Sequence, residues 1–396
     1  SKSIQNNLIL QNYTLFKKNR YICGLIIFQR NMKGTNKFTL LTITILVVLL
    51  SLTSCDNEIH LCDEWRETTV IYGMIDAADT FTDLRVYKAF LGEGNAYDMA
   101  KVVDSSEYDP SEITVKMEKW HKVNNQDVLV RTIDFEPYYS YNKKPGTFYN
   151  ERQLYFRANT LGKIIDLIPI TDSTFMDDYE TTKLKVIVIN NSGDTVTATT
   201  PVVAPGTYVT ISRDHGTETR AATIYKNLRY PSNVSWTAVT NGSRYEVYAN
   251  FNIIEVLTNG DTISRTIPRG IVSTKTIASN GNSTTFSYDD YASGFFAFVE
   301  ANTPYTDAAM EASVSYRKVR QYMLTFAMAG EDFQNYMLTS RGTGMSQNLN
   351  VYSNVKNGRG LVSSRANLIF PCQISEEAKT ELFENPDYDY LKFKNE

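Results

Sequence analysis

Apolar and polar positions alternate with a period of two along most of this chain. Ile113-Thr114-Val115-Lys116-Met117-Glu118 is the plainest case, with every second side chain apolar, as a half-buried strand requires. Glu64–Ile75 predicts a first strand, closed as a turn by Gly73 and the polar stretch Asp76–Asp79. Leu84–Phe90 predicts a second. Asn124-Asn125-Gln126-Asp127 reads as a hairpin turn into Val128–Phe135. Leu154–Ala158 and Lys183–Ile189 follow, and Asn190–Asp194 turns the chain back through Thr195–Thr200. Tyr97–Val102 reads as one helical turn. Strands at this spacing, with no long helix between them, predict an immunoglobulin-like β-sandwich over residues 64–203.

Thr200–Gly206 holds two prolines and a glycine and breaks the alternation, which makes it the expected domain boundary. Beyond it, Val234–Val239 with Trp236, then Asn241-Gly242, then Tyr245–Phe251, resemble a fibronectin-type hairpin. Asn259-Gly260-Asp261 predicts another hairpin turn. The period then changes to that of a helix. Tyr291, Phe295, Phe298 and Val299 share one helical face, ended by Pro304. Phe333, Tyr336 and Met337 share another. Ser375-Glu376-Glu377 opens a third, its acidic residues in the first turn and Ala378 and Leu382 facing inward. The expected fold is mainly β: the sandwich, a second β-rich (α+β) domain over 204–372 with a few short helices, and a C-terminal helix and tail over 373–396.

One apolar run does not alternate. Phe38–Leu52 follows Lys33 and Lys37 and precedes Thr53-Ser54-Cys55. Positive flank, apolar stretch and small residues make a secretory signal over 32–54. The run is shorter than the roughly 20 residues of a spanning helix. Leu52-Thr53-Ser54-Cys55 reads as a lipobox, so Cys55 is expected to carry acyl chains. At about 0.8 kcal/mol per buried CH₂, more than one chain anchors the protein stably in outer-membrane lipid. Residues 1–31 read as an over-long translated start. Asp56-Asn57-Glu58, within the linker 55–63, resembles in part the surface-export signal of Bacteroidota lipoproteins, which implies a protein facing the cell exterior; read instead as a solvated acidic linker, it leaves the periplasmic face of the outer membrane open.

Composition narrows the partners. The formal net charge of −4 argues against nucleic acid. Tyrosine is abundant at 26 residues and histidine scarce at three, which suits an exported β protein and offers little for a metal site. With Cys55 acylated, Cys62 and Cys372 remain in the mature chain. They either pair in the oxidising envelope or stay as separate buried thiols.

Chemistry is harder to find. No nucleophile elbow, phosphate loop or zinc-protease helix occurs, and Gly342-Thr343-Gly344 lacks the third glycine of a dinucleotide fingerprint. His60, His121 and His215 have no paired spacing. Asp177-Asp178-Tyr179-Glu180 and Asp387-Tyr388-Asp389 lack the alternation and glycine of a calcium loop. No catalytic residue, metal site or cofactor is assigned, and no enzymatic activity is expected. The strongest binding signal is aromatic. Tyr138, Tyr139, Tyr141 and Tyr149, with Lys143 and Lys144, read either as a recognition loop for a glycan or peptide or as edge tyrosines covering the sandwich. Asp79-Thr80, Asp104-Ser105, Asp172-Ser173, Asp194-Thr195 and Asp261-Thr262 resemble Bacteroidota O-glycosylation acceptors. Asn354, Gly358, Gly360 and Ser364 read as a structural turn, or as a backbone nest for an anion.

Three stretches, Val70–Ala96, Val351–Arg365 and Ile374–Phe393, together with the lipobox, resemble uncharacterised, domain-of-unknown-function two-domain outer-membrane lipoproteins of Bacteroidota. The resemblance implies location and a two-domain layout but no reaction. The expected function is non-catalytic binding of another envelope component, such as an outer-membrane transporter or secretion complex. The alternative is capture of a glycan or peptide at the surface, with an envelope hydrolase as the remaining reading.

Overall fold

The computed structural model describes residues 68–89, 96–146, 149–165, 179–191, 193–206, 208–213, 223–277, 285–340 and 351–395. Cys55, Cys62, the signal segment, Asp56–Glu58, Gly342–Gly344, Asp172-Ser173 and Asp177-Asp178 lie outside them. The strands of the first half are β1 (Thr68–Asp76), β2 (Phe81–Ala89), β3 (Thr114–Val123), β4 (Gln126–Ser140), β5 (Gln153–Asn159), β6 (Thr182–Ile189) and β7 (Thr195–Pro201). Then come β8 (Val209–Arg213), β9 (Thr223–Ile224), β10 (Ser232–Thr237), β11 (Arg244–Leu257), β12 (Thr262–Thr276), β13 (Thr285–Asp290), β14 (Val314–Ala329), β15 (Val355–Lys356) and β16 (Arg359–Ile374). Two single-turn helices, α1 (Ala96–Met99) and α2 (Val103–Ser106), follow β2. The longer helices are α3 (Ala292–Asn302), α4 (Ala308–Ser313), α5 (Glu331–Ser340) and α6 (Glu376–Glu384). The protein is mainly β with a few short helices.

Thirteen strands form one sheet in the order β12-β11-β14-β16-β1-β2-β5-β4-β3-β6-β7-β15, with β9 joined to β16; β13-β10-β8 form a second, small sheet. The first-half strands therefore hydrogen-bond as one continuous ribbon. Strand β4 folds the ribbon over: residues 126–135 pair with β3, and residues 136–140 pair with β5. Ile71, Leu84, Phe156, Met117, Phe135, Val186 and Val196 meet inside the fold. A second buried cluster gathers Tyr245, Phe251, Tyr322 and Phe326 from the large sheet. Trp236 of the small sheet, Phe295 of α3 and Leu382 of α6 pack onto them. Membership changes at Val202–Ala204, and β16 serves both clusters, Val362 in the first and Ala366, Cys372 and Ile374 in the second. All four are even-numbered positions of one strand, so both clusters lie on the same face of the sheet.

The link between the halves is a parallel pairing. β16 runs beside β1 from Val70↔Arg359 to Asp76↔Arg365. The Asn-Gly stretch expected to be a turn supplies the join. Asn357 turns the chain at φ 59°, β15 pairs with β7, and the Asn354 side chain both donates to Val362 O (2.7 Å) and accepts from Val362 N (3.0 Å). Ser364 Oγ donates to Pro201 O (2.6 Å) and accepts from Val203 N (3.0 Å), fixing the linker of the first half to β16.

Two expectations need correction. Trp236 and Tyr245 do not form a hairpin: β10 pairs with β13 and β8, while β11 pairs with β12 and β14. Their rings still meet, with centroids 6.4 Å apart, because the small sheet packs on the large one. The Tyr138-Tyr139 stretch is not loop. Both residues extend β4, opposite Tyr155 and Leu154.

The C-terminal helix forms for the reasons its sequence suggests. Ser375 accepts from the Ala378 amide (3.1 Å), two glutamates occupy the first turn, and Ala378 and Leu382 bury the i, i+4 face. Ser375 Oγ also donates to Tyr225 O (2.6 Å). Ser375→Ala loses both bonds and is expected to cost about 1–2 kcal/mol. Urea denaturation of the pure protein checks this as a lower midpoint at unchanged slope.

Candidate binding face and its cavity

Because both buried clusters share one face of the sheet, the opposite face of β1, β2, β5 and the end of β4 is open to side chains of another kind. Alternation puts Tyr72, Arg85, Tyr87, Asp83, Tyr155, Arg157 and Tyr138 there. They hold one another by charge and ring contacts. Arg157 makes a bidentate pair with Asp83 (2.6 and 2.7 Å), and its guanidinium lies 3.6 Å from the Tyr138 ring centroid. Arg85 sits 5.0 Å from the Tyr87 ring centroid, and Tyr72 stacks on Tyr87 at 6.2 Å. Tyr336 of α5 meets Tyr72 edge-on at 6.2 Å. Burial, aided by the hydrogen bond with Tyr336, pushes the Tyr72 hydroxyl pKa up, so it remains a neutral donor. Planar rings clamped by guanidinium groups keep few rotamers, which lowers the entropy cost of binding.

At one end of this face is a cavity of about 360 Å³, lined by Arg85, Tyr87, Lys88, Ala89, Ser106, Glu107, Lys143 and Tyr149. Its walls come from β2, from the end of α2 and from the chain after β4. The Gln153 amide turns its oxygen to Arg85 and donates from its nitrogen to the Tyr155 hydroxyl (3.0 Å). Lys143 Nζ donates to Tyr149 O (2.7 Å), Tyr149 N donates to Ala100 O (2.9 Å), and the Tyr149 hydroxyl donates to Glu151 (2.9 Å). Glu107 Oε1 accepts from Leu154 N (3.0 Å). Burial and the Arg85 charge lower the Lys143 pKa from the usual lysine value, opposed by Glu107.

The four tyrosines singled out by sequence thus divide. Tyr138 belongs to the open face and Tyr149 to the cavity. Tyr139 stacks under Arg152, at 4.3 Å, and Tyr141 is 71% exposed beyond the strand end. Sequence reasoning missed Arg85, Tyr87, Lys88 and Glu107. A signal existed, since Asp83, Arg85 and Tyr87 occupy alternate positions of one predicted strand. Cys372 is buried, and burial raises its thiol pKa to about 12; Cys62, its candidate partner, lies outside the described residues. Asp387 and Asp389 lie in a 3₁₀ turn, Pro386–Leu391. Among the described residues no group of three metal-ligating side chains occurs, and no helix is long and apolar enough to cross a membrane. No protein-family model matches the chain, and no curated protein matches it at a significant level.

Proposed function

We propose that this chain is a non-catalytic lipoprotein, anchored in the outer membrane through acylated Cys55 and facing the cell exterior, that binds another envelope protein complex through the open Tyr/Arg face. The observation that carries the reading is that face: one side of the sheet buries both clusters, while the other presents Tyr72, Tyr87, Tyr138 and Tyr155 interleaved with Arg85 and Arg157. Tyrosine and arginine are the residues that dominate protein recognition energetics. The lipid anchor supports a partner in the same membrane, such as a transporter or a secretion complex.

The test is capture from detergent-solubilised membranes by the tagged full-length chain. An outer-membrane complex recovered with the parent protein is expected to be lost with the Tyr138→Ala/Arg157→Gln pair, and Cys55→Ser is expected to leave folding intact while releasing the protein from membranes. Equal recovery by parent and face variant removes the face from consideration. Membrane retention of Cys55→Ser would mean that something other than the lipid holds the protein there. The second reading, capture of a glycan, draws its support from the cavity.

A further inference from the structure

The cavity at the end of the open face has an unusual balance of charge. Among the described residues, Arg85, Lys88 and Lys143 line it against the single acid Glu107. Neither Arg85 nor Lys88 has a carboxylate partner among the described residues: Arg85 is held by the Gln153 amide and the Tyr87 ring, and Lys88 lies over the Tyr108 ring at 5.7 Å. A half-buried cation with no carboxylate beside it costs electrostatic free energy unless an anion joins it. The remaining walls are just as specific. Tyr87 and Tyr149 offer flat aromatic faces, and Ser106 and Glu107 offer hydrogen-bonding oxygens. A volume near 360 Å³ is at the small end of ligand sites.

We propose that this cavity binds one anionic sugar unit, a ring bearing a carboxylate or a phosphate. The anionic group faces Arg85, Lys88 and Lys143, the ring packs on tyrosine, and a sugar hydroxyl donates to Glu107. Arginine suits either anion through its planar fork, and lysine adds a point charge. A neutral sugar brings no anion to Arg85 and Lys88, and a bare ion makes no use of the aromatic walls or of the second Glu107 oxygen. The assignment deepens the reading of this face as a recognition surface by naming what one end of it takes.

The test is isothermal titration calorimetry on the detergent-solubilised full chain, using glucuronate, glucose 6-phosphate, glucose, acetate and inorganic phosphate as probes. Glucuronate or glucose 6-phosphate is expected to bind at least about tenfold more tightly than glucose and than the bare ions. Whichever of the two is tighter identifies carboxylate or phosphate as the source. The Lys88→Gln/Lys143→Gln variant is expected to lose at least about tenfold in affinity, and binding should weaken as salt rises, through screening. Ala89→Trp, a substitution at an exposed position lining the cavity, should block the site without touching a charge, which keeps the proposal testable if the lysine variant fails to fold. Equal binding of glucose, equal binding of the bare ions, no binding of either acidic sugar at millimolar concentration, or unchanged affinity in both variants overturns the proposal. Failure here with partner capture still dependent on Tyr138 and Arg157 removes the sugar site alone. Sugar binding without partner capture removes the protein-docking reading alone.

Discussion

Gly360→Val is expected to unfold this protein or to lower its Tm by about 10 °C or more. Gly360 sits opposite Ile71 in the parallel β16–β1 pairing, at φ 117°. A Cβ there would run into the backbone oxygen and carbonyl carbon of Ile71. Neither obstacle can rotate away, because both belong to the backbone of a strand paired on both sides. The positive φ costs a side chain about 1–3 kcal/mol, and forcing apart a packed contact costs about 1–3 kcal/mol more. Their sum is a large part of the about 5–15 kcal/mol that holds a typical domain. At about 2–4 °C per kcal/mol for a chain of this class, the midpoint moves by roughly 10 °C. Gly146→Ala is the control, since nothing lies within 4 Å of the Cβ it would add. Thermal unfolding of both variants beside the parent checks the expectation, and a Gly360→Val midpoint within about 2 °C of the parent would refute the account of the join.

The consequence is structural as well as energetic. β16 contributes Val362 to one buried cluster and Ala366, Cys372 and Ile374 to the other, so separating β16 from β1 exposes the edge of the first ribbon and loosens its interior. The strand that closes the first half is therefore supplied from near the end of the chain. Folding of that half alone would leave the β1 edge unpaired, a template for wrong association.

How much of this was legible depends on the range of the interaction. β6 is predicted as Lys183–Ile189 and found as Thr182–Ile189, because its alternation is set by residues two apart. The helix at Ser375 is equally plain, since its cap, acidic turn and buried face lie within eight residues of one another. The partner of β1 is not legible. Val70 pairs with Tyr87 on one side and with Arg359 on the other, and nothing local distinguishes a strand with one neighbour from a strand with two. The Trp236–Tyr245 hairpin fails for a related reason: the short turn favours direct pairing, but β10 finds its neighbours in β8 and β13. The candidate face was half legible. The tyrosine-rich run drew attention to Tyr138 and Tyr149, whereas the cavity needs Lys88, Glu107 and Lys143 from three separate stretches. No spacing rule brings those three together; only the fold does.

Arg317→Met is expected to cost about 3–5 kcal/mol, the typical penalty for removing one partner from a buried ion pair. Arg317 and Glu255 are both fully buried. Arg317 Nε donates to Glu255 Oε1 (2.9 Å), while its two terminal nitrogens donate to Glu311 (3.0 and 2.6 Å) and to Leu391 O (3.0 Å). Arg265 also donates to Glu255 (3.1 Å), Tyr305 donates its hydroxyl to the other Glu255 oxygen, and Lys392 Nζ donates to Glu311 O and Val314 O (2.8 Å each). The network ties β11, β14, α4 and the C-terminal tail at one point, and the Arg317 backbone pairs with the tail through Lys392 O and Lys394 N. Removing the guanidinium leaves Glu255 with Arg265 as its one cation, beside the Tyr305 hydroxyl, and takes the anchor from Leu391. Replacing both buried ions, as in Glu255→Leu/Arg317→Met, removes the charge that is stranded by the single change, so a double-mutant cycle in urea should show a combined loss smaller than the sum of the two singles. The pH dependence has a definite sign. Burial tends to raise the Glu311 carboxyl, but the hydrogen bonds from Arg317 and the Tyr305 amide outweigh it and hold its pKa below the usual value. A folded pKa below the unfolded one gives stability that is complete above about pH 4.3 and is lost as pH falls through the folded value. Arg317→Met has less of this stability to lose. The difference between parent and variant should therefore be largest near neutrality and narrow as pH falls from about 5 to about 3. A difference that widens on acidification would mean that Glu311 is not held by Arg317 in solution.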